Sequence, residues 1–213
     1  MPEPTFEEMI DAMKDAVAVL QARDIPFVLG GGLAAWARGG PRSEHDVDLL
    51  IREQDAEDAL AAYEEAGMRV ECPPEGWLVK AWHPNGTLVD LIYSPAGGPI
   101  TDDTLERAPE IEVMALRLRV SSLEDLMTTK LLALNEQEPG FGSVLELARA
   151  LREQIEWDDV RRRTSSSPFA RAFFTLVEGL GVVEPSHEKV DGPPEGGPYA
   201  VQSAVWPVDS TTG

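Results

Sequence analysis

Residues 27–51 read FVLGGGLAAWARGGPRSEHDVDLLI, and the reading of this stretch decides the fold. The apolar run Ile25 to Leu29 stops at Gly30, Gly31 and Gly32, the pattern of a strand entering a tight turn. Leu33 to Arg38 then reads as a short helix closed by Gly39-Gly40-Pro41. Asp46 to Ile51 alternates polar and apolar residues, as a half-buried strand does. On a strand the period of two puts Asp46 and Asp48 on one face and Val47 and Leu49 on the other. Two carboxylates held side by side repel, and one pKa rises unless a cation compensates. A divalent ion is the natural cation, and an all-oxygen ligand set selects Mg²⁺ or Mn²⁺. The glycine turn offers bare backbone N–H groups at a helix start, where phosphate oxygens can be received. It is neither a P-loop, since no Gly-Lys-Ser/Thr follows, nor a dinucleotide-binding fingerprint.

Working outward, Thr5-x-x-Glu8 is a capping box before apolar residues at helical spacing, which predicts a helix over about 5–22. An Ala/Glu-rich helix is expected over 54–66, ending at Gly67. Met68–Glu71, Trp77–Trp82 and Thr87–Tyr93 read as strands, the last two joined through His83-Pro84-Asn85-Gly86 as a hairpin. A short helix and one or two strands (111–114 and 116–120) follow. From there the pattern is helical: 122–135 behind a second capping box, Ser121-x-x-Glu124, then 142–154, 157–163 and 167–180. The expected organisation is an α+β core over 1–120, a helical subdomain over 121–183, and a Pro/Gly-rich tail over 184–213.

Composition narrows the chemistry. The 213 residues hold 38 acidic and 18 basic side chains, a formal charge of −20. A uniformly basic nucleic-acid binder is excluded, because phosphate neutralisation needs a Lys/Arg surplus. The acidity is uneven: residues 1–109 carry 21 acidic and 8 basic side chains, and residues 110–184 carry 13 and 9. An RNA acceptor for the helical half therefore stays open. No apolar run reaches membrane-spanning length, and Met1 to Pro4 lacks a signal-peptide layout. The single cysteine, Cys72, excludes a disulfide framework and points to a cytoplasmic setting.

Asp90 sits mid-strand between Leu88 and Ile92 on its own face, where an unpaired carboxylate is costly. Its partner is either an Arg or Lys from a neighbouring element or the same metal ions as the Asp pair. Together the Gly31-Gly32 turn, the pair Asp46 and Asp48, and the later Asp90 resemble the nucleotidyltransferase (polymerase beta-like) superfamily. The stretch Pro41-Arg42…Asp46-Val47-Asp48 resembles the AbiE- and MenT-type toxin nucleotidyltransferases. The resemblance spans about residues 25–135 and implies a mixed β-sheet flanked by helices. It implies transfer of a nucleoside monophosphate from an NTP to an acceptor hydroxyl, with Asp46, Asp48 and Asp90 holding two Mg²⁺ (or Mn²⁺) ions. Gly31, Gly32, Arg42 and Lys130 would then bind the nucleotide. Lys130 follows Ser122-Leu123-Glu124-Asp125-Leu126, the form in which relatives present a lysine to the triphosphate. The alternative is a surface lysine, but its place among Leu126, Met127, Leu131 and Leu134 sets it nearer the buried edge and favours the functional role.

The acceptor stays open between tRNA, a small molecule and a protein. The toxin resemblance adds an expected antitoxin partner, and the alternative is a non-catalytic nucleotide-binding or toxin–antitoxin component with the same fold. Relatives also carry an acid after the lysine helix; here only Glu136 and Glu138 stand near that place. Trp77 and Trp82 are candidates to stack on a base, while Trp36 and Trp157 read as core. Arg161-Arg162-Arg163 suits a helix end and is the one basic cluster. His45 alternates away from Asp46 and reads as packing or solvent-facing.

Overall fold

The computed structural model describes residues 4–42, 46–137 and 139–185; the expectations for His45, Glu138 and most of the tail lie outside these. In chain order the elements are α1 (Phe6–Ala22), β1 (Val28–Leu29), α2 (Gly31–Trp36), β2 (Asp46–Leu50), α3 (Ala56–Glu65), β3 (Arg69–Glu71), β4 (Leu78–Trp82) and β5 (Leu88–Ile92). After them come α4 (Asp102–Arg107), β6 (Glu110–Val113), β7 (Leu116–Arg119), α5 (Leu123–Ala133), α6 (Phe141–Leu151), α7 (Trp157–Thr164) and α8 (Pro168–Gly179). The fold is α+β, with a five-stranded mixed sheet in the order β1-β2-β5-β4-β3 flanked by helices.

Local chemistry accounts for most boundaries. The Thr5 hydroxyl accepts the Glu8 N–H at 3.2 Å and the Glu8 carboxylate accepts the Thr5 N–H at 2.7 Å, so the first capping box forms as expected. Gly86, at φ +96°, closes the β4–β5 hairpin by donating to the His83 carbonyl at 2.8 Å. β6 and β7 pair antiparallel across a tight turn in which Met114 and Ala115 take φ +49° and +66°.

Several boundaries move from their expected places, three of them for reasons visible in the hydrogen bonds. β1 is only Val28–Leu29, because the Ile25 N–H is spent on the Leu20 carbonyl and Pro26 has none to give. α2 starts at Gly31 rather than Leu33, since the Ala34 N–H donates to the Gly30 carbonyl at 3.0 Å and makes Gly30 the N-cap, while Gly31 takes a left-handed φ of +54°. The cap of α5 is Ser122, not Ser121: the Ser122 hydroxyl accepts the Asp125 N–H at 3.0 Å, while Glu124 accepts the Glu156 N–H instead. Ser121 is committed elsewhere, its N–H donating to the Leu29 carbonyl at 2.9 Å.

The sheet has two unlike faces. Val47, Leu49, Val79, Ala81, Val89 and Leu91 point to one side and pack with α1 and α3 in the larger apolar core. A second apolar cluster is built from residues 123–183 together with Ala35 of α2. The two clusters meet at a joint of polar bonds. Leu29 bridges Val120, and the Arg38 guanidinium donates to the Val120 and Ser121 carbonyls, each at 3.2 Å. The side-chain amide of Gln154 in turn donates to the Arg38 carbonyl at 3.2 Å. Among the described residues no helix is long and apolar enough to cross a membrane.

Candidate active site

β2 and β5 are the one parallel pair among otherwise antiparallel neighbours, and their register sets Asp48 beside Asp90. Asp46 lies two residues back on the same face of β2. Each of Asp46, Asp48 and Asp90 offers a carboxylate oxygen, and these oxygens lie within 4.8 Å of one another. Asp90 is 7% exposed and the other two are half-buried.

The electrostatics follow from this crowding. Burial first, then Asp46 and Asp90, push the Asp48 carboxyl up to about 7, against the opposing pull of Lys130 and Lys80. Asp90 is raised as well, chiefly by burial and slightly by Asp46, with Lys80 acting the other way. Two lysines thus leave the negative cluster undercompensated. An all-oxygen set at this spacing fits a hard divalent cation, Mg²⁺ or Mn²⁺, and the excess of negative charge is what such an ion would relieve.

Of the partners expected for Asp90, the basic side chain is present. Asp90 belongs to the triad, and Lys80, directly opposite it on β4, donates Nζ to its two oxygens at 3.1 and 3.4 Å. Lys80 was not among the residues singled out from sequence, although the hairpin centred on Asn85 places residues 80 and 90 opposite each other. Lys80→Met is expected to cost about 1–3 kcal/mol, because it strands a buried carboxylate. Chemical denaturation checks this, and added Mg²⁺ is expected to restore most of the loss.

Gly31 is held against the triad. A Cβ there would sit 1.5 Å from Asp48 Oδ2, so only a glycine lets the start of α2 approach so closely. Gly32 follows in the same first turn.

A cleft of about 870 Å³ lies between this face of the sheet and α5. Gly31, Asp48 and Lys130 line it, whereas Gly32, Asp46 and Asp90 do not. Arg42 is placed differently: its guanidinium lies 4.9 Å from the centre of the Phe6 ring, and it does not line the cleft. Of the two candidate stacking residues, Trp77 is 40% exposed on the cleft wall. Trp82 instead lies under Arg69, whose guanidinium is 3.5 Å from the ring centre. Trp36 packs edge-on against Phe6, and Trp157 against Phe174. The basic cluster is consumed by acids: Arg161 donates to Glu178, Arg162 to Asp159, and Arg163 to Asp125. Arg107 and Arg163 also line the cleft. Nothing in the local sequence marks them, because Asp125 gathers them from separate helices.

The mixed sheet, the glycine start of α2 and the acidic triad under α5 define a nucleotidyltransferase fold. The sequence profile of a family described as "Nucleotidyl transferase of unknown function (DUF2204)" matches residues 9–170, and the chain belongs to that family. No curated protein sequence matches it significantly. Among solved structures it is similar to the antibiotic-resistance factor ANT(2'')-Ia in solution, with a TM-score of 0.60 at 18% identity over 83% of this chain and 98% of that one. The crystal structure of ANT(2'')-Ia in complex with adenylyl-2''-tobramycin gives 0.53 at 18% identity, covering 78% and 97%. A nucleotidyltransferase-like protein from Thermotoga maritima gives 0.46 at 17% identity, covering 61% and 87%.

Proposed function

We propose that this chain moves a nucleoside monophosphate from an NTP to an acceptor hydroxyl. The observation that carries the reading is the triad of Asp46, Asp48 and Asp90 pressed against a glycine that leaves room for nothing larger. Asp46 and Asp48 would hold Mg²⁺ or Mn²⁺, with Asp90 completing the second position. Such ions polarise the phosphoryl oxygens and clamp the attacking and leaving oxygens of an in-line displacement.

The chain's own residues do the rest. Asp90, the most buried of the three acids, would help take the proton of the acceptor hydroxyl. Lys130 meets the charge that builds on the departing pyrophosphate. The backbone N–H groups at Gly31 and Gly32 face the phosphates where α2 begins.

For the acceptor we infer a small hydroxylated molecule. The cleft has small-molecule dimensions, and a chain of charge −20 repels a polyanion. The structure of ANT(2'')-Ia in complex with adenylyl-2''-tobramycin supports this reading.

The test has two steps. Calorimetric titration of the four NTPs is expected to show binding that requires Mg²⁺; its absence removes the enzyme reading. Each α-labelled NTP is then incubated with small-molecule, protein and total RNA pools. Label in the small-molecule fraction supports the inferred acceptor. Label on tRNA returns the toxin-type reading, and with it the search for an antitoxin. Binding without any transfer leaves a non-catalytic nucleotide-binding component.

A further inference from the structure

The registers of the sheet set four charged residues in one row. Asp48 on β2 pairs with Asp90 on β5, Asp90 with Lys80 on β4, and Lys80 with Glu71 on β3. Paired residues of neighbouring strands project from the same face, so the row reads acid, acid, lysine, acid across the sheet. Lys80 stands between Asp90 and Glu71, and its Nζ donates to both oxygens of the first, at 3.1 and 3.4 Å. Among the described residues Asp90 is its one hydrogen-bond partner. Glu71, exposed at the sheet edge, pairs instead with Arg69 at 3.7 Å.

That bond engages the carboxylate a metal ion would use. Asp90 is buried, and it offers the oxygen that stands within 4.8 Å of those of Asp46 and Asp48. Lys80 holds both of its oxygens, so an ion that takes Asp90 as a ligand has to share or displace the lysine. The same charge reaches further, opposing the rise that burial imposes on the Asp90 and Asp48 carboxyls. A positive charge held this close repels an incoming cation, most of all where burial leaves little water to screen it. Displaced, the lysine has a second carboxylate next to it in the row, Glu71 on β3. Lys80 does not line the cleft, so its action falls on the acids and not on a nucleotide lying there.

We propose that Lys80 is a competing counter-ion built into the triad: it occupies Asp90 in the metal-free chain and holds down the affinity of the three acids for a divalent ion. This rests on the reading of Asp46, Asp48 and Asp90 as a metal-binding triad and deepens it. One ion pair then has two opposite effects. Lys80 steadies the empty site and weakens the filled one, so the metal concentration at which the site loads is set by a lysine and not by the acids alone.

The probe is Mn²⁺ alone, titrated at pH 8 into the nucleotide-free full chain, with the free ion counted by electron paramagnetic resonance. Asp48→Asn marks the site: binding that this variant loses belongs to the triad, and binding that it keeps belongs to other acids. At the triad, Lys80→Met is expected to bind Mn²⁺ about tenfold or more tighter than wild type, the effect of lifting one nearby like charge. Lys80→Arg keeps the charge and is expected to stay within about threefold of wild type. Lys14→Met removes the same charge from α1, which packs on the opposite face of the sheet, and is expected to change nothing. An unfolded chain loses the site, so instability cannot imitate a tighter one. Lys80→Gln, which is neutral and can still donate to Asp90, gives the same reading if the methionine variant does not fold. Neutral variants that bind no tighter than wild type, or an arginine variant that gains as much as they do, overturn the counter-ion role. Wild type and Asp48→Asn binding Mn²⁺ alike overturns the metal-binding triad itself.

Discussion

Asp48→Asn is expected to abolish transfer, by about a hundredfold or more, while making the protein more stable at pH 8. The reason lies in the position of that carboxyl, pushed from 3.8 up to about 7 by burial and by its two acidic neighbours. An acid raised in the folded state weakens the fold wherever it is ionised in both folded and unfolded chains. Wild type should therefore gain stability as pH falls through 7 toward 4, opposite in sign to the usual acid denaturation of a salt-bridged carboxylate. The displacement corresponds to at most about 4 kcal/mol at high pH. Half of that raises the thermal midpoint of a chain this size by about 4–8 °C. Melting curves from pH 5 to 8 check it: the variant's advantage should shrink as Asp48 takes up its proton. Mg²⁺ at pH 8 should raise the wild-type midpoint and leave the variant nearly unmoved. A variant less stable than wild type at pH 8 makes Asp48 a structural partner and removes the metal-cluster reading.

Gly31→Ala is the second large effect, and it should fail in two separable ways. The left-handed backbone at φ +54° costs a side chain about 1–2 kcal/mol. The new Cβ would also collide with the Asp48 carboxylate, at 1.5 Å from Oδ2 and 2.9 Å from Cβ. Gly39→Ala separates the two, because Gly39 has φ +92° and nothing within 4 Å of its added Cβ. Gly39→Ala should lose only the backbone term and keep activity. Gly31→Ala should lose more stability than Gly39→Ala and be as inactive as Asp48→Asn. Combining Gly31→Ala with Asp48→Ala should destabilise by less than the sum of the single changes, since the carboxylate that is struck has gone. Additive losses in that cycle would mean the contact does not govern the site.

What could be read from sequence follows the range of the forces involved. The period of two put Asp46 and Asp48 on one face of β2, and Asn85-Gly86 placed the β4–β5 hairpin, because both are decided within a few residues. The same hairpin register sets Lys80 opposite Asp90, so that ion pair was within reach of the sequence and was passed over. Ser121 and Ser122 are locally equivalent caps, and only the bond from Ser121 to Leu29, 92 residues earlier in the chain, decides between them. The Arg107–Asp125–Arg163 cluster joins residues 18 and 38 positions apart, with no local pattern to announce it. Arg42 shows the converse: its motif position suggested phosphate, and its guanidinium lies beside the Phe6 ring that α1 brings near, a neighbour the motif does not announce.

The bonds from Arg38, Ser121 and Leu29 attach the start of α5 to the edge of the sheet beside the glycine turn. Mechanically this ties the two walls of the cleft together at Gly31: any displacement of the first turn of α5 has to break main-chain bonds to the strand that carries the glycine turn.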